Sequence, residues 1–413
     1  MAASDAPQTA TPPATGTFAA LALPRFRRFW TGTMLSNLGT WMQSVAQGWL
    51  VLQLTDSPMM LGVVGFAQTI PSLLLNLFGG VIADRYDRRA VCFLGQSTSM
   101  LAALLLAGLI YQGLAQPWHI IALALVNGTA WALSGASFHS IVGDLAGREL
   151  RSNAIALNSM QFHLSRSLGP SIAGVVLAQF GAAVCFYGNG LSYLAILYAL
   201  LLMGPMPPQA RPRGGTWQQI SEGVRYTADN RAFVGLMAHT VVIAGLGMPI
   251  QSLLPVVARD VLHVGASGLG YLMAASGLGS VCGALLVARW SSARQRGQRV
   301  VLMGLIYAVT MIILGLPGSA GLAMAVLWLG GASSVASQAT VNTLIQTLCS
   351  EDMRGRVLSI YNLSFIGAMP LGNLLGGWLA QHYGAPTAIT VLGTAMLVLI
   401  SVIALTLPVR QVD

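Results

Sequence analysis

Residues 80–89 read Gly-Val-Ile-Ala-Asp-Arg-Tyr-Asp-Arg-Arg and join two apolar runs, 58–83 and 90–112. Either run is long enough for a helix that crosses a hydrocarbon core, which takes about 20 apolar residues. The joint carries three arginines and two aspartates within a few residues. A segment that short and that charged cannot cross a bilayer, so it marks one fixed face of a membrane protein.

The alternation continues along the chain. Apolar runs recur at 29–54, 58–83, 90–112, 117–142, 154–180, 183–204, 233–257, 264–288, 299–317, 320–346, 357–381 and 385–407, twelve in all. The chain is 55% hydrophobic and 8% charged, against about 25% charged residues in soluble globular proteins. The expectation is an all-α membrane protein with twelve transmembrane helices.

A formal charge of +9 invites a nucleic-acid reading, but the placement of the charges excludes it. Every basic residue other than histidine is arginine, and nineteen of the 21 fall on one predicted side of the spans. Only Arg166 and Arg259 depart from this pattern. Such asymmetry is the positive-inside rule, so the basicity sets topology. It places the arginine side and both termini in the cytoplasm, with the chain in the inner membrane. Cys92, Cys185, Cys282 and Cys349 have no paired spacing and read as small core residues. No phosphate-binding Gly-rich loop with lysine and no His-Glu-x-x-His cluster occurs. Neither a cofactor, a metal nor an enzyme activity is therefore expected.

The two halves repeat at an offset of 203 residues: Gly62 falls on Gly265, Gly128 on Gly331, Gly169 on Gly372, Gly174 on Gly377, Gly181 on Gly384 and Gly190 on Gly393. Repeated halves are a mark of secondary transporters, and small residues at fixed places allow close helix contacts in lipid. The expected organisation is a disordered tail at 1–22, a six-helix bundle at 23–204, a linker at 205–231 and a second six-helix bundle at 232–413. Within the linker, Trp217, Ile220 and Val224 oppose Glu222, Arg225 and Asp229 at helical spacing. This predicts an amphipathic helix on the cytoplasmic membrane surface.

Twelve spans in two halves, with this charged loop and linker, resemble the major facilitator superfamily. Gly80, Asp84, Arg85, Arg88 and Arg89 match the superfamily's motif between helices 2 and 3. Asp87 stands where glycine is usual, and in the second-half copy Val287 and Ala288 replace the Asp-Arg pair. The resemblance implies that the loop latches the cytoplasmic ends of the halves, with Asp84 docking across them, held by Arg88 and Asp144. Gly169-Pro170-Ser171-Ile172-Ala173-Gly174 resembles the fifth-helix motif of exporters and antiporters, with Ser165 and Ala173 in place of glycine. Pro170 removes a helix hydrogen bond and frees the carbonyl of Arg166, which predicts either a kink that helps set direction or ordinary packing. The loop, together with Arg151-Ser152-Asn153-Ala154 through Asn158, Arg166, Gly169 and Pro170, is similar to the branch of enterobactin exporters and macrolide-efflux proteins. That likeness implies export of a siderophore or drug-like compound driven by proton entry.

Arg166 lies two to three turns inside the fifth apolar run, with no Asp or Glu in the middle of any span. Its partner is either an anionic or carbonyl-rich substrate, or neighbours such as Asn158, Ser165 and helix carbonyls. Polar stripes mark candidate chamber positions: Gln43 and Gln47 in the first run, Trp131 in the fourth, Gln338 and Asn342 in the tenth, and Tyr361 and Asn362 in the eleventh. His139, His163 and His239 sit inside spans and are candidate proton carriers. The expected partners are a small amphipathic molecule, protons and the lipid bilayer, with one chain as the functional unit. Metabolite uptake, a non-transporting sensor and a lipid scramblase are the other readings.

Overall fold

The computed structural model describes residues 16–206, 216–289, 295–316 and 318–411. Among them there are helices and no strands. Helices α1 (Pro24–Thr55), α2 (Pro58–Arg85) and α3 (Arg88–Tyr111) open the first half. The chain then stays helical over Pro117–Leu201, broken where Gly147 (φ 69°, ψ −179°) and Gly181 (φ 79°, ψ 176°) leave the helical region. These breaks define α4 (117–146), α5 (148–180) and α6 (182–201). Positive φ with extended ψ is open to glycine and strained for other residues, so each glycine turns the chain back at a membrane face.

After a linker helix (Thr216–Asp229) the second half follows: α7 (Arg231–Val261), α8 (Gly265–Arg289), α9 (Arg296–Leu314), α10 (Ala320–Leu348), α11 (Glu351–Tyr383) and α12 (Ala385–Thr406). Nine described stretches are long and apolar enough to cross a membrane, and one of them, Pro117–Leu201, holds three spans. α1 falls outside the nine because its face of Ser36, Thr40, Gln43 and Gln47 lowers its hydropathy.

The glycine repeat is structural. Gly181 and Gly384 share left-handed φ values of 79° and 82° at equivalent joints. A Cβ built on Gly174 in α5 would lie 2.9 Å from the Gly270 Cα in α8, and one on Gly377 in α11 would lie 2.9 Å from the Gly62 Cα in α2. The halves therefore touch backbone to backbone along α5–α8 and α2–α11. The hydrophobic effect gives helices no reason to associate in lipid, so close van der Waals approach takes over.

These contacts gather toward the arginine-poor end. There Ser57 Oγ donates to Gln381 Oε1 at 2.7 Å across the halves. Arg259 reaches from α7 to Asp56 and donates to the Leu52 carbonyl at 3.2 Å. Near the other end a Cβ on Gly80 would meet nothing within 4 Å, and the polar residues Ser159, Gln346 and Asn362 are exposed. Polar groups at this depth are costly in lipid, so their exposure marks a wet opening. Among the described residues, the cross-half backbone contacts and hydrogen bonds named here lie toward the arginine-poor end, which they close.

Three expectations change. Residues 1–15 lie outside the described residues, but 16–22 are not a loose tail. Asn153 accepts from the Ala20 amide at 2.9 Å and donates to the Thr17 carbonyl at 2.8 Å, pinning this stretch to the start of α5. Cys282 is exposed on α8, while Cys92, Cys185 and Cys349 are buried; an outward thiol costs little where lipid replaces water. The linker helix forms, and Glu222 binds Arg356 of α11 at 2.6 Å, while Val224, Arg225 and Asp229 stay exposed. The side chains of Trp217 and Ile220 lie outside the described residues.

Candidate functional site

The α2–α3 loop is built around a buried charge. Arg88, only 3% exposed, donates to Asp144 Oδ2 of α4 at 2.7 Å and to the Ala83 carbonyl at 3.4 Å. Asp87, the departure from the motif, caps α3: its Oδ1 accepts from the Arg89 amide at 2.9 Å and from the Met206 amide at 3.1 Å. Short acidic side chains are favoured at this position because they satisfy orphan amides. Arg89 donates to the Leu201 carbonyl at 3.2 Å, and Asp84 is engaged as well. Arg88, Asp87 and Arg89 thus bind the ends of α4 and α6, all in the first half. The expected Arg88–Asp144 support is present.

Between the halves lies a polar chamber. One cavity of about 220 Å³ is lined by Gln47 and Gln68 of the first half and Gln251, Ser252 and Asn373 of the second. Two smaller cavities adjoin it and place Arg166 beside Gln251, Ser276 and Tyr307. Gln251 borders all three. It can do so because α7 is not a regular helix. Wide five-residue turns at Ile243–Gly247 and Val257–Val261 flank the segment that carries it. Such insertions recur at functional sites. Gly247 makes room for the Tyr307 ring, whose hydroxyl donates to the Gly247 carbonyl at 2.8 Å.

Arg166 stands near the middle of α5, half-buried, with its guanidinium 5.5 Å from the centre of the Trp41 ring. A cation over an indole face gains about 0.5–2 kcal/mol. Neither Asn158 nor Ser165 binds it. Asn158 accepts from Gln161 at 3.2 Å and Ser165 donates to the Met34 carbonyl at 3.3 Å. Gly169 lets α5 lie against Trp41, where a Cβ would come within 2.6 Å of the Trp41 Cβ. Pro170 offers its carbonyl to the close approach of Gly270.

Of the other stripe residues, Gln47 faces the cavity, while Gln43 turns inward to accept from Asn189 at 2.6 Å within the first half. Gln338 donates to Ser334 at 3.1 Å and its carbonyl accepts from Tyr361 at 3.3 Å, so these two tie α10 to α11. Asn342 accepts from Gln346 at 2.5 Å. Trp131 is half exposed, edge-on to His139, and Asn362 is exposed. His239 pairs with Ser337 at 2.8 Å inside the second half, and His163 packs edge-on to Phe162. Gln251, Tyr307, Asn373 and Ser276 escape a sequence reading. Gln251 and Asn373 belong to no helical stripe, and the pairs Ser276/Ser280 and Tyr307/Thr310 are too short to stand apart from ordinary helix packing.

The comparisons with known proteins agree with this architecture. The staphyloferrin A transporter of Staphylococcus aureus is 25% identical over 369 residues, covering 88% of this chain and 92% of that one. The enterobactin exporter EntS of Shigella boydii is 26% identical, covering 86% and 85%. The multidrug efflux pump Tap of Mycolicibacterium fortuitum is 26% identical, covering 92% and 95%. Among solved structures the nucleoside transporter NupG superposes with a TM-score of 0.74 at 11% identity, covering 92% of this chain and 98% of that one, which speaks for the fold alone. The family model described as transmembrane secretion effector matches residues 15–413, and this multi-pass chain is a member of that family of major facilitator transporters.

Proposed function

We propose that this protein exports a small amphipathic organic compound, siderophore-like or drug-like, across the cytoplasmic membrane by alternating access. The observation that carries the reading is the chamber lined from both halves, with cross-half contacts closing its arginine-poor end. Rocking the halves about the α5–α8 and α2–α11 seams would pass that chamber from one face to the other. The arginine distribution supports a cytoplasmic arginine-rich end with both termini inside, the end from which an exporter would load. The named exporters and efflux pump among its relatives support the direction and the substrate class. One chain encloses the whole chamber, so a monomer suffices.

The motif loop serves as the cytoplasmic gate and α5, with Gly169, Pro170 and Gly174, as the hinge face. Moving such a gate from 1:99 to 99:1 takes about 5.5 kcal/mol of differential binding. A carboxylate at a helix terminus supplies about 0.3–2 kcal/mol, so substrate and the transmembrane gradient provide the rest. Protons are the counter-ion that the family likeness implies, with His163, close to Arg166 on α5, the best placed of the three histidines. The test is flux in proteoliposomes against a panel of siderophores and antibiotics under an imposed electrochemical gradient, paired with a deletion strain. Sensitivity to an exported compound is expected. Starvation for a nutrient would identify uptake instead, and gradient-independent lipid movement would identify a scramblase.

A further inference from the structure

Arg166 lines the two smaller cavities beside the chamber, and neither has an acid in its lining. Among the described residues it makes no ion pair and no hydrogen bond, and its one close partner is the Trp41 ring at 5.5 Å. The titratable groups around it are His163, one turn earlier on α5, and the Tyr307 phenol, which is already donating to Gly247 at 2.8 Å. Neither carries negative charge near neutrality. No rearrangement inside the membrane supplies one, because every Asp and Glu of the chain lies in a tail, the linker, a loop or the end of a helix. Of these, Asp144 is paired with Arg88, while Asp56 and Asp260 are paired with Arg259.

A guanidinium keeps its charge under all physiological conditions. Held at mid-membrane without a protein counter-charge, it is a site for an anion that arrives from outside the protein. The Trp41 ring lies 5.5 Å from the guanidinium carbon, and a guanidinium binds a carboxylate through two parallel hydrogen bonds from its N–H edge. The Gln251 amide and the Ser276 hydroxyl, which line the same cavity, add neutral donors and no repulsion.

The same absence bears on the source of energy. A carboxylate that loads and unloads protons is missing from the chamber. An anionic substrate has no need of it, because the inside-negative membrane potential already drives anions outward. At 100 mV the potential supports about a fiftyfold concentration ratio for each exported charge.

We propose that Arg166 and Trp41 form an anion site, that the substrate carries a carboxylate, and that the membrane potential powers its export. This rests on the exporter reading given above, names its substrate class, and puts the membrane potential in place of the proton counter-ion that the family likeness implies. The test uses the full chain in proteoliposomes with three probes: dansylglycine, its neutral amide dansylglycinamide, and ethidium. Valinomycin and potassium gradients impose a potential without a pH gradient, and a pH gradient is imposed separately with the potential clamped. Dansylglycine accumulates at least tenfold over protein-free vesicles on the positive side, reverses with the sign of the potential and ignores the pH gradient; the amide does not accumulate. Arg166→Ala abolishes this, and Arg166→Lys retains part of it. Quenching of tryptophan fluorescence by dansylglycine, stronger than by the amide, reports binding independently of flux. Equal handling of acid and amide, or flux that follows pH alone, overturns the proposal. Gradient-dependent ethidium flux without dansylglycine flux overturns it while leaving the exporter reading intact. No gradient-dependent flux of any probe counts against both.

Discussion

Asp144 accepts from a guanidinium that is almost wholly shut off from solvent, with side-chain exposures of 4% for Arg88 and 26% for Asp144. Removing one partner of a buried pair costs more than the pair contributes, because the other charge is stranded. Asp144→Ala should therefore destabilise the first half by up to about 3 kcal/mol, the lower end of the buried range because Asp144 is partly wet. Thermal unfolding in detergent checks this, and an unchanged midpoint would show that water replaces the carboxylate freely. Asp84 differs, since its proposed work is in gating. Asp84→Asn should slow turnover several-fold while substrate binding stays within about twofold. A loss of binding with turnover intact would contradict a gating role. The residue scale also shows why stripes on a helix mislead. Gln43 and Gln47 lie one turn apart on α1, yet Gln43 serves Asn189 and Gln47 faces the cavity. A small rotation about the helix axis separates an interhelical hydrogen bond from a ligand contact, and sequence spacing does not encode that rotation.

At the scale of elements, the α5–α8 and α2–α11 seams decide how tightly the chamber shuts. A Cβ on Gly270 would lie 2.7 Å from the Gly174 Cα and 2.8 Å from the Pro170 carbonyl, both backbone atoms that cannot step aside. Gly270→Val should hold the halves apart at the arginine-poor end. The expected result is a rise of tenfold or more in the labelling rate of a cysteine placed at Gln251, in a cysteine-free background, by an impermeant reagent added from that side. Conversely, a disulfide between Ser57→Cys and Gln381→Cys, whose side chains touch at 2.7 Å, should lock that end. Oxidation should stop transport and reduction restore it; undiminished flux in the oxidised form would show that this end need not open. The glycine repeat made these helices visible in sequence as close-packing elements. The partners across the seams were not visible, because the repeat relates each glycine to its copy and not to the residue it touches.

For the whole molecule, the balance between the two ends is set by weak, distributed contacts. Arg259 and Asp56 form an exposed pair across the halves, and Asp56 is 82% exposed at its side chain. Such pairs contribute about 0–1 kcal/mol, enough to shift a two-state population by up to about fivefold. Asp56→Asn should move the population toward opening at the arginine-poor end by no more than that, read from spin-label distances between α1 and α7. A collapse of the closed state would mean that this pair, and not the glycine seams, holds the end shut. The sequence by itself determined the membrane class, the number of spans, the two-half plan, the charged loop between α2 and α3 and the mid-membrane Arg166. Those follow from hydropathy, charge placement and period, which are local or repeated along the chain. Only the tertiary structure decided which polar residues meet in the chamber, that α7 bulges to carry Gln251 there, and that the arginine-poor end is the closed one. Each depends on helix rotation and on the relative tilt of the halves, and neither quantity is written in any single stretch of residues.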